Sequence, residues 1–340
     1  MCIILLEGII FLALSLLGIR EKIVEGIPFS IRMGIAPGIG LMLMNIGLGS
    51  NVGIYSADGN CFYVMRDFFG ALTPAIIKGN MGDSYGIMIL TVITMFIGLF
   101  VIIVLAHKKV RGSVLLGMLA ASVVYWAGEA IFFHINPFAS LATASWLPAF
   151  KDLGSETLFK FNFATLAKIG WFTALTLVVT FCLIDLFDTL GTVIGTASRA
   201  GMVDENGNMP QLKEALTADA VGTLVGGFTG TSTVTTFIES ASGVEEGGRT
   251  GLTALVTGLL FLACIFIAPI AAIIPAAATS SALIYVGILM LANLKKIDLE
   301  DISSIAPVAI MILAMPISGS IGHGIGLALI SYVIIKFCTG

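Results

Sequence analysis

Two aspartates stand one helical turn apart in an otherwise apolar run from Leu183 to Thr196. Asp185, Asp188, Thr189, Thr192 and Thr196 recur every three to four residues, so on a helix they form a single polar stripe. An acid at bilayer depth costs about 2.5–3.5 kcal/mol on insertion scales, and such groups face a cavity or a partner. No Lys or Arg is expected at this depth to pair with them. Two like charges this close, with little water, cannot both stay ionised cheaply, which suits proton coupling. The plainer reading is that Asp188 hydrogen-bonds the helices around it. Gly191 and Gly195, on the same segment, would let a neighbouring backbone approach closely.

A second constellation covers residues 226–243, Gly226-Gly-Phe-Thr-Gly-Thr-Ser-Thr-Val-Thr-Thr-Phe-Ile-Glu-Ser-Ala-Ser-Gly243. Five of the eight residues from Thr229 to Thr236 are threonine, a composition that favours extended chain over helix. Non-helical backbone at membrane depth is tolerated only where it is buried in protein or lines a cavity. A broken element of this kind marks a binding site. Thr236 and Glu239 have capping-box spacing, so Glu239 either stabilises the start of a half-helix or contacts a ligand. The two roles are compatible, because a half-helix start also offers free N–H donors. Asp219 begins a short helix with Gly222, Gly226 and Gly230 on one small-residue face, and its acid is as readily structural as functional. Arg249, among glycines, most simply ends the half-helix.

The elements that must position these residues are membrane spans. Of 340 residues, 57% are hydrophobic and only 11% charged, against roughly 25% for a soluble protein, which excludes an ordinary soluble enzyme. A net charge of -4 without a basic run excludes nucleic-acid binding. Uncharged stretches give spans at 8–19, 33–48, 86–106, 112–128, 169–198 and 215–230, followed by the broken segment. The charge-free stretch 250–294 divides at Pro269 and Pro275, and 302–335 divides near Pro316 and Gly319, giving ten ordinary spans and one irregular one. Twelve of the 17 Lys and Arg fall on one side, the exceptions being Arg66, Lys78, Lys151, Lys160 and Lys168; the crowded side is therefore cytoplasmic, with the C-terminus on it and Met1 outside. The five cysteines, Cys2, Cys61, Cys182, Cys264 and Cys338, follow neither a disulfide nor a zinc pattern and read as packing residues. Neither a metal nor a cofactor is expected.

An internal repeat bears on the outside start. Phe11-Leu-Ala13 recurs as Phe261-Leu-Ala263, and Ile27-Pro28 followed by Ile39 to Leu43 recurs as Ile274-Pro275 followed by Val286 to Met290. Weak similarity between halves is the signature of inverted-repeat transporters. On that reading three spans would precede Met1. Two enzyme classes compete less well. An intramembrane aspartyl protease would want a Gly-x-Gly-Asp motif, and its nearest string, Gly79 to Asp83, lies in an exterior loop. A Ser/His pair from Ser320 and His323 sits at a helix break, where loop chemistry explains it. A transporter uses the acids, the broken element and the repeat together.

Four runs carry a specific resemblance: Asp185-Leu-Phe-Asp-Thr-Leu-Gly-Thr, Leu216-Thr-Ala-Asp-Ala-Val-Gly, Gly230-Thr-Ser-Thr-Val-Thr-Thr-Phe-Ile-Glu-Ser-Ala-Ser-Gly-Val and Gly247-Gly-Arg-Thr-Gly-Leu-Thr-Ala. With looser matches such as Leu17-Gly-Ile-Arg-Glu-Lys22, the chain resembles the adenine/guanine/hypoxanthine permeases, the AzgA-like branch of the xanthine–uracil permease superfamily. The resemblance implies an all-α polytopic membrane protein with a uracil-permease-like 7+7 inverted repeat, a short strand in the broken segment, and about 11 of 14 segments present. It implies a first-half core remnant at 1–20, gate helices at 21–150, a second-half core carrying the substrate site at 160–268, and gate helices at 270–340. The substrate would be a purine nucleobase, imported through the cell membrane by symport with protons or another cation; a homodimer is left open. Asp185, Glu239, Phe237, Ile238 and Thr189 would bind the purine; Asp185, Asp188 and Glu239 would couple protons; Asp219, Thr236 and Arg249 would be structural or functional. Because the other strand-containing segment would precede Met1, the resemblance also predicts that the 340-residue chain alone fails to take up purines. The alternatives at this point are a non-transporting fragment, a carrier of another nucleobase or an anion on the same fold, and, more remotely, the aspartyl protease.

Overall fold

The computed structural model describes residues 1–49, 85–146, 150, 153–204, 209–298 and 300–339. All regular structure among them is helical. Helices α1 (Cys2–Leu16) and α2 (Ile19–Glu25) form a pair bent by 78°. The bend falls at Gly18, whose φ of +69° is a left-handed conformation open to glycine at little cost. Then follow α3 (Phe29–Leu48), α4 (Tyr85–His107), α5 (Ser113–Phe132), α6 (Trp171–Ala200) and α7 (Leu212–Thr229). After the break come α8 (Ser240–Glu245), α9 (Gly251–Cys264), α10 (Ala276–Met290), α11 (Ile302–Ser318) and α12 (Ile321–Thr339).

Among the described residues, seven helical stretches are long and apolar enough to cross a membrane, and the bent pair makes an eighth. The shorter α7, the 17-residue α11 and the broken segment complete the eleven segments read from the sequence. The expected divisions hold. Pro275 separates the span ending at Ala272 from α10, and Gly319, at φ +63°, ends α11. Residues 231–239 leave the helix as expected, yet they form no strand among the described residues. A strand needs a paired backbone, and here the segment's neighbours are helices.

The chain divides into two compact units. The first comprises Met1–Ile39, Ala149–Glu245 and Met290–Gly340. In it α1 crosses α7 at near backbone contact: a Cβ on Gly8 would lie 2.8 Å from Leu224 Cα, and one on Gly227 3.0 Å from Leu5 Cα. Gly191 and Gly195 of α6 face Ile35, Ile39, Ala36 and Met290, the close approach expected of them. Asp301 caps α11 by accepting from the Ser303 N–H at 3.0 Å and the Ser304 hydroxyl at 2.7 Å, and these donors hold its carboxyl below the usual carboxylate range.

The second unit comprises Gly40–Pro148 and Glu246–Leu289. Its core packs Met95, Leu99 and Ile102 of α4 against Ala277, Ile284 and Tyr285 of α10. The Trp126 indole of α5 donates to the Ile273 carbonyl at 3.1 Å. Cys2, Cys182, Cys264 and Cys338 are free thiols, and Cys61 lies outside the described residues.

The α1–α7 crossing gives a direct test. Gly8→Val forces two backbones apart and is expected to cost about 1–3 kcal/mol as overpacking, seen as a lower melting temperature of the purified protein. Gly258→Ala, at a position with open space around its Cβ, serves as control and should leave the melt unchanged. Equal melts for both variants would refute the close crossing.

Candidate functional site

The site lies entirely in the first unit, where α1, α2, α6 and α7 meet the broken segment. Four consecutive residues of that segment are each tied to a helix. The Thr233 hydroxyl donates to Glu7 Oε2 of α1 at 2.9 Å. The Val234 carbonyl accepts from the Thr223 hydroxyl of α7 at 2.7 Å. The Thr235 hydroxyl lies 2.9 Å from the Thr189 hydroxyl of α6. The Thr236 backbone N–H is bonded to Asp219 of α7. An extended stretch has no internal ladder to satisfy its polar groups, and these four anchors stand in for one.

Asp219 is the hub of the arrangement. Its Oδ1 accepts from the Thr189 hydroxyl at 2.9 Å, and its Oδ2 meets Arg20 Nη2 at 3.1 Å. The single Thr189 proton goes to Asp219, so Thr235 must be the donor between the two threonines. Arg20 itself is fully buried. Its Nη1 also donates to the Leu216 carbonyl at 2.9 Å and the Ser15 hydroxyl at 3.3 Å, and its guanidinium stacks 4.0 Å above the Phe11 ring.

Arg20 corrects the sequence reading that no Lys or Arg lies at this depth, although it pairs with Asp219 and not with Asp185 or Asp188. The positive-inside tally places an Arg just beyond a span in the cytoplasmic loop, but the bend at Gly18 folds α2 and its guanidinium back into the protein. Glu7 was equally missed, since it reads as a break in an apolar run. A lone acid in an uncharged span was itself the available signal.

The stripe on α6 separates into two kinds of residue. Thr192 and Thr196 bond back to carbonyls of their own helix, as hydroxyls often do. Thr189 and Asp185 face the cluster. Asp185 is 4% exposed, yet neither carboxylate oxygen has a hydrogen-bond partner. The charges bearing on it are Asp219, Glu7, Arg20 and Asp188. Asp188 is half-buried, and its charged neighbours are Asp219 and Glu239. Asp188 therefore stands between the buried acids and the far end of the broken segment.

Of the residues on that segment, Ile238 is buried, Glu239 is exposed and Phe237 is 60% exposed. The capping box is not formed. Helix α8 starts at Ser240, and the Thr236 hydroxyl has no partner, because the Thr236 N–H is held by Asp219 in an extended conformation. Gly247, at φ +104°, follows the end of α8. Arg249 belongs to the other unit, where it donates to the Gly248 carbonyl. Ser320 accepts from the His323 backbone N–H at 3.3 Å, the loop chemistry expected at that break. The Gly79–Asp83 string lies outside the described residues.

Known proteins resemble this chain over nearly its whole length. Residues 71–329 match the profile of the xanthine/uracil permeases, a permease family. The chain is 36% identical over 98% of its length to a putative permease of Methanocaldococcus jannaschii, covering 69% of that protein. It is 35% identical over 97% of its length to the adenine permease AdeP of Escherichia coli, covering 66% of it. It is 35% identical over 98% to the guanine/hypoxanthine permease PbuO of Bacillus subtilis, covering 70%. The chain thus spans about two thirds of the length of these relatives. In fold it is similar to the transmembrane domain of the cyanobacterial bicarbonate transporter BicA, with a TM-score of 0.56 at 19% identity, over 98% of this chain and 76% of that one. The enzyme readings fall away: this multi-pass membrane chain belongs to the xanthine/uracil permease family.

Proposed function

We propose that the chain carries the substrate site of a purine nucleobase transporter that couples import to protons. The observation that carries the reading is Asp185, a buried carboxylate with both oxygens free beside an unwound segment. One carboxylate can accept two N–H bonds from a purine edge. Glu239 on the broken segment supplies a second carboxylate, Phe237 an aromatic face for the ring, and Ile238 and Thr189 the nearby wall. Asp185, Asp188 and Glu239 form the proton-coupling set. The relatives named adenine permease and guanine/hypoxanthine permease support purines as the substrate class. The proposal places the protein in the cell membrane with its C-terminus in the cytoplasm.

Saturable binding of labelled adenine to the purified protein tests it, with guanine and hypoxanthine competing and bicarbonate not. Absence of saturable binding by all three purines would sink the reading. Glu239→Gln, which keeps the shape and removes the charge, is expected to abolish binding. Unchanged affinity would remove Glu239 from the site.

A further inference from the structure

Glu7 belongs to none of the motifs that point to the site, yet it is fully buried within it. Its Oε2 accepts from the Thr233 hydroxyl at 2.9 Å, while its Oε1 is buried with no hydrogen-bond partner. The charged and titratable groups facing it are Arg20 from α2, Asp219 from α7, and Asp185 and the Cys182 thiol from α6. Arg20 is the one cation in this set, and it is committed to Asp219, the Leu216 carbonyl and Ser15. Glu7 and Asp185 are therefore two buried carboxylates without a bound counter-ion, and three of their four oxygens have no partner. An unpaired buried carboxylate is expensive. The same three oxygens are free to take a proton. Thr233 then links the state of Glu7 to the backbone. Its hydroxyl donates to Oε2, and a proton on Oε1 turns that charge-assisted hydrogen bond into a weaker neutral one.

We infer that Glu7 is a proton-carrying carboxylate of this site, tied through Thr233 to the broken segment, so that proton loading and the position of residues 233–236 depend on each other. On loading, a hydronium ion of the entry-side water gives up a proton and an O–H bond forms at the free Glu7 Oε1. On release that bond breaks and the proton passes to water on the other side. The inference deepens the proposed transport reading, since it names a carrier of the coupling ion.

The first readout needs no substrate. Infrared difference spectra of the purified protein between acidic and alkaline buffer should show carboxylic C=O bands that vanish on the alkaline side. Glu7→Gln should lack one of them. Thr233→Val should keep that band at a shifted frequency, because the hydrogen bond to Glu7 is gone. A Glu7→Gln spectrum that superimposes on wild type overturns the proton on Glu7. If Glu7→Gln does not fold, an unshifted band in Thr233→Val overturns the link to the segment.

Proteoliposomes carrying the chain together with the preceding spans that the resemblance implies give the second readout. Glu7→Gln is expected to keep exchange of labelled for unlabelled adenine while losing at least about tenfold in accumulation driven by a proton gradient. That figure corresponds to about 1.4 kcal/mol of lost coupling. Equal loss of both activities would make Glu7 merely structural and overturn the inference. Absence of adenine exchange in the wild type would instead strike the purine reading, and the infrared bands would still decide Glu7.

Discussion

Arg20→Ala is expected to destabilise the protein by about 3–5 kcal/mol, the usual cost of stranding one member of a buried ion pair. Both side chains of the Arg20–Asp219 pair are shielded completely from solvent. Removal of the guanidinium leaves Asp219 charged and takes the 2.9 Å donor from the Leu216 carbonyl, which keeps the longer bond from the Ser15 hydroxyl. Asp219→Asn should cost a similar amount, because it strands Arg20 instead. The double variant Arg20→Leu with Asp219→Asn removes both charges and should recover most of the lost stability. Melting temperatures of the purified variants test this, and additive losses in the double variant would show that the two residues do not act as a pair. Purine affinity should follow a different pattern. Asp219 also accepts from Thr189 and holds the Thr236 N–H. The double variant should therefore fold well and still bind poorly.

That split shows what could be read from the residues and what could not. The long spans were legible because an uncharged stretch of about 20 residues admits few alternatives: α4, α5 and α6 fall within a few residues of the stretches marked by charge alone. The break at 231–239 was legible from its threonines, and the close packing of Gly191 and Gly195 from their spacing. Arg20 was not. Its burial depends on one left-handed glycine, Gly18, which turns a residue of the expected loop into the floor of the site. The tally of Lys and Arg by side has no means of seeing such a turn. The role of each threonine was equally hidden. Thr189 and Thr192 share one stripe, but Thr189 bonds across to α7 and the broken segment, whereas Thr192 satisfies its own helix. Periodicity selects a face; which member of that face finds a partner is settled by the neighbouring helices. The strand failed for a related reason, since pairing requires a second backbone that no local pattern supplies.

Asp185→Asn should separate binding from folding in the opposite sense to Arg20. The carboxylate is 4% exposed and neither oxygen accepts a hydrogen bond, so the folded protein holds it at a cost. Asparagine has the same shape and no charge, so the melting temperature of Asp185→Asn should equal or exceed that of the wild type. Affinity should fall steeply. If the carboxylate accepts two N–H groups of a purine, the amide can accept one at most and turns a donor toward the other. A charge-assisted hydrogen bond contributes about 1.5–3 kcal/mol and a neutral one about 0.5–1.5 kcal/mol. The expected loss of about 2–4 kcal/mol is a rise of roughly 30- to 700-fold in the Kd for adenine, at 1.4 kcal/mol per tenfold. A role in stability alone would give the reverse pattern, a lower melting temperature with little change in Kd. A carboxylate retained for its ligand is a local weakness in the apoprotein, as active sites often are, and adenine should raise the melting temperature of the wild type more than that of Asp185→Asn. Both quantities can be measured on one preparation, and an Asp185→Asn protein that melts early and binds adenine normally would move the substrate site away from this carboxylate.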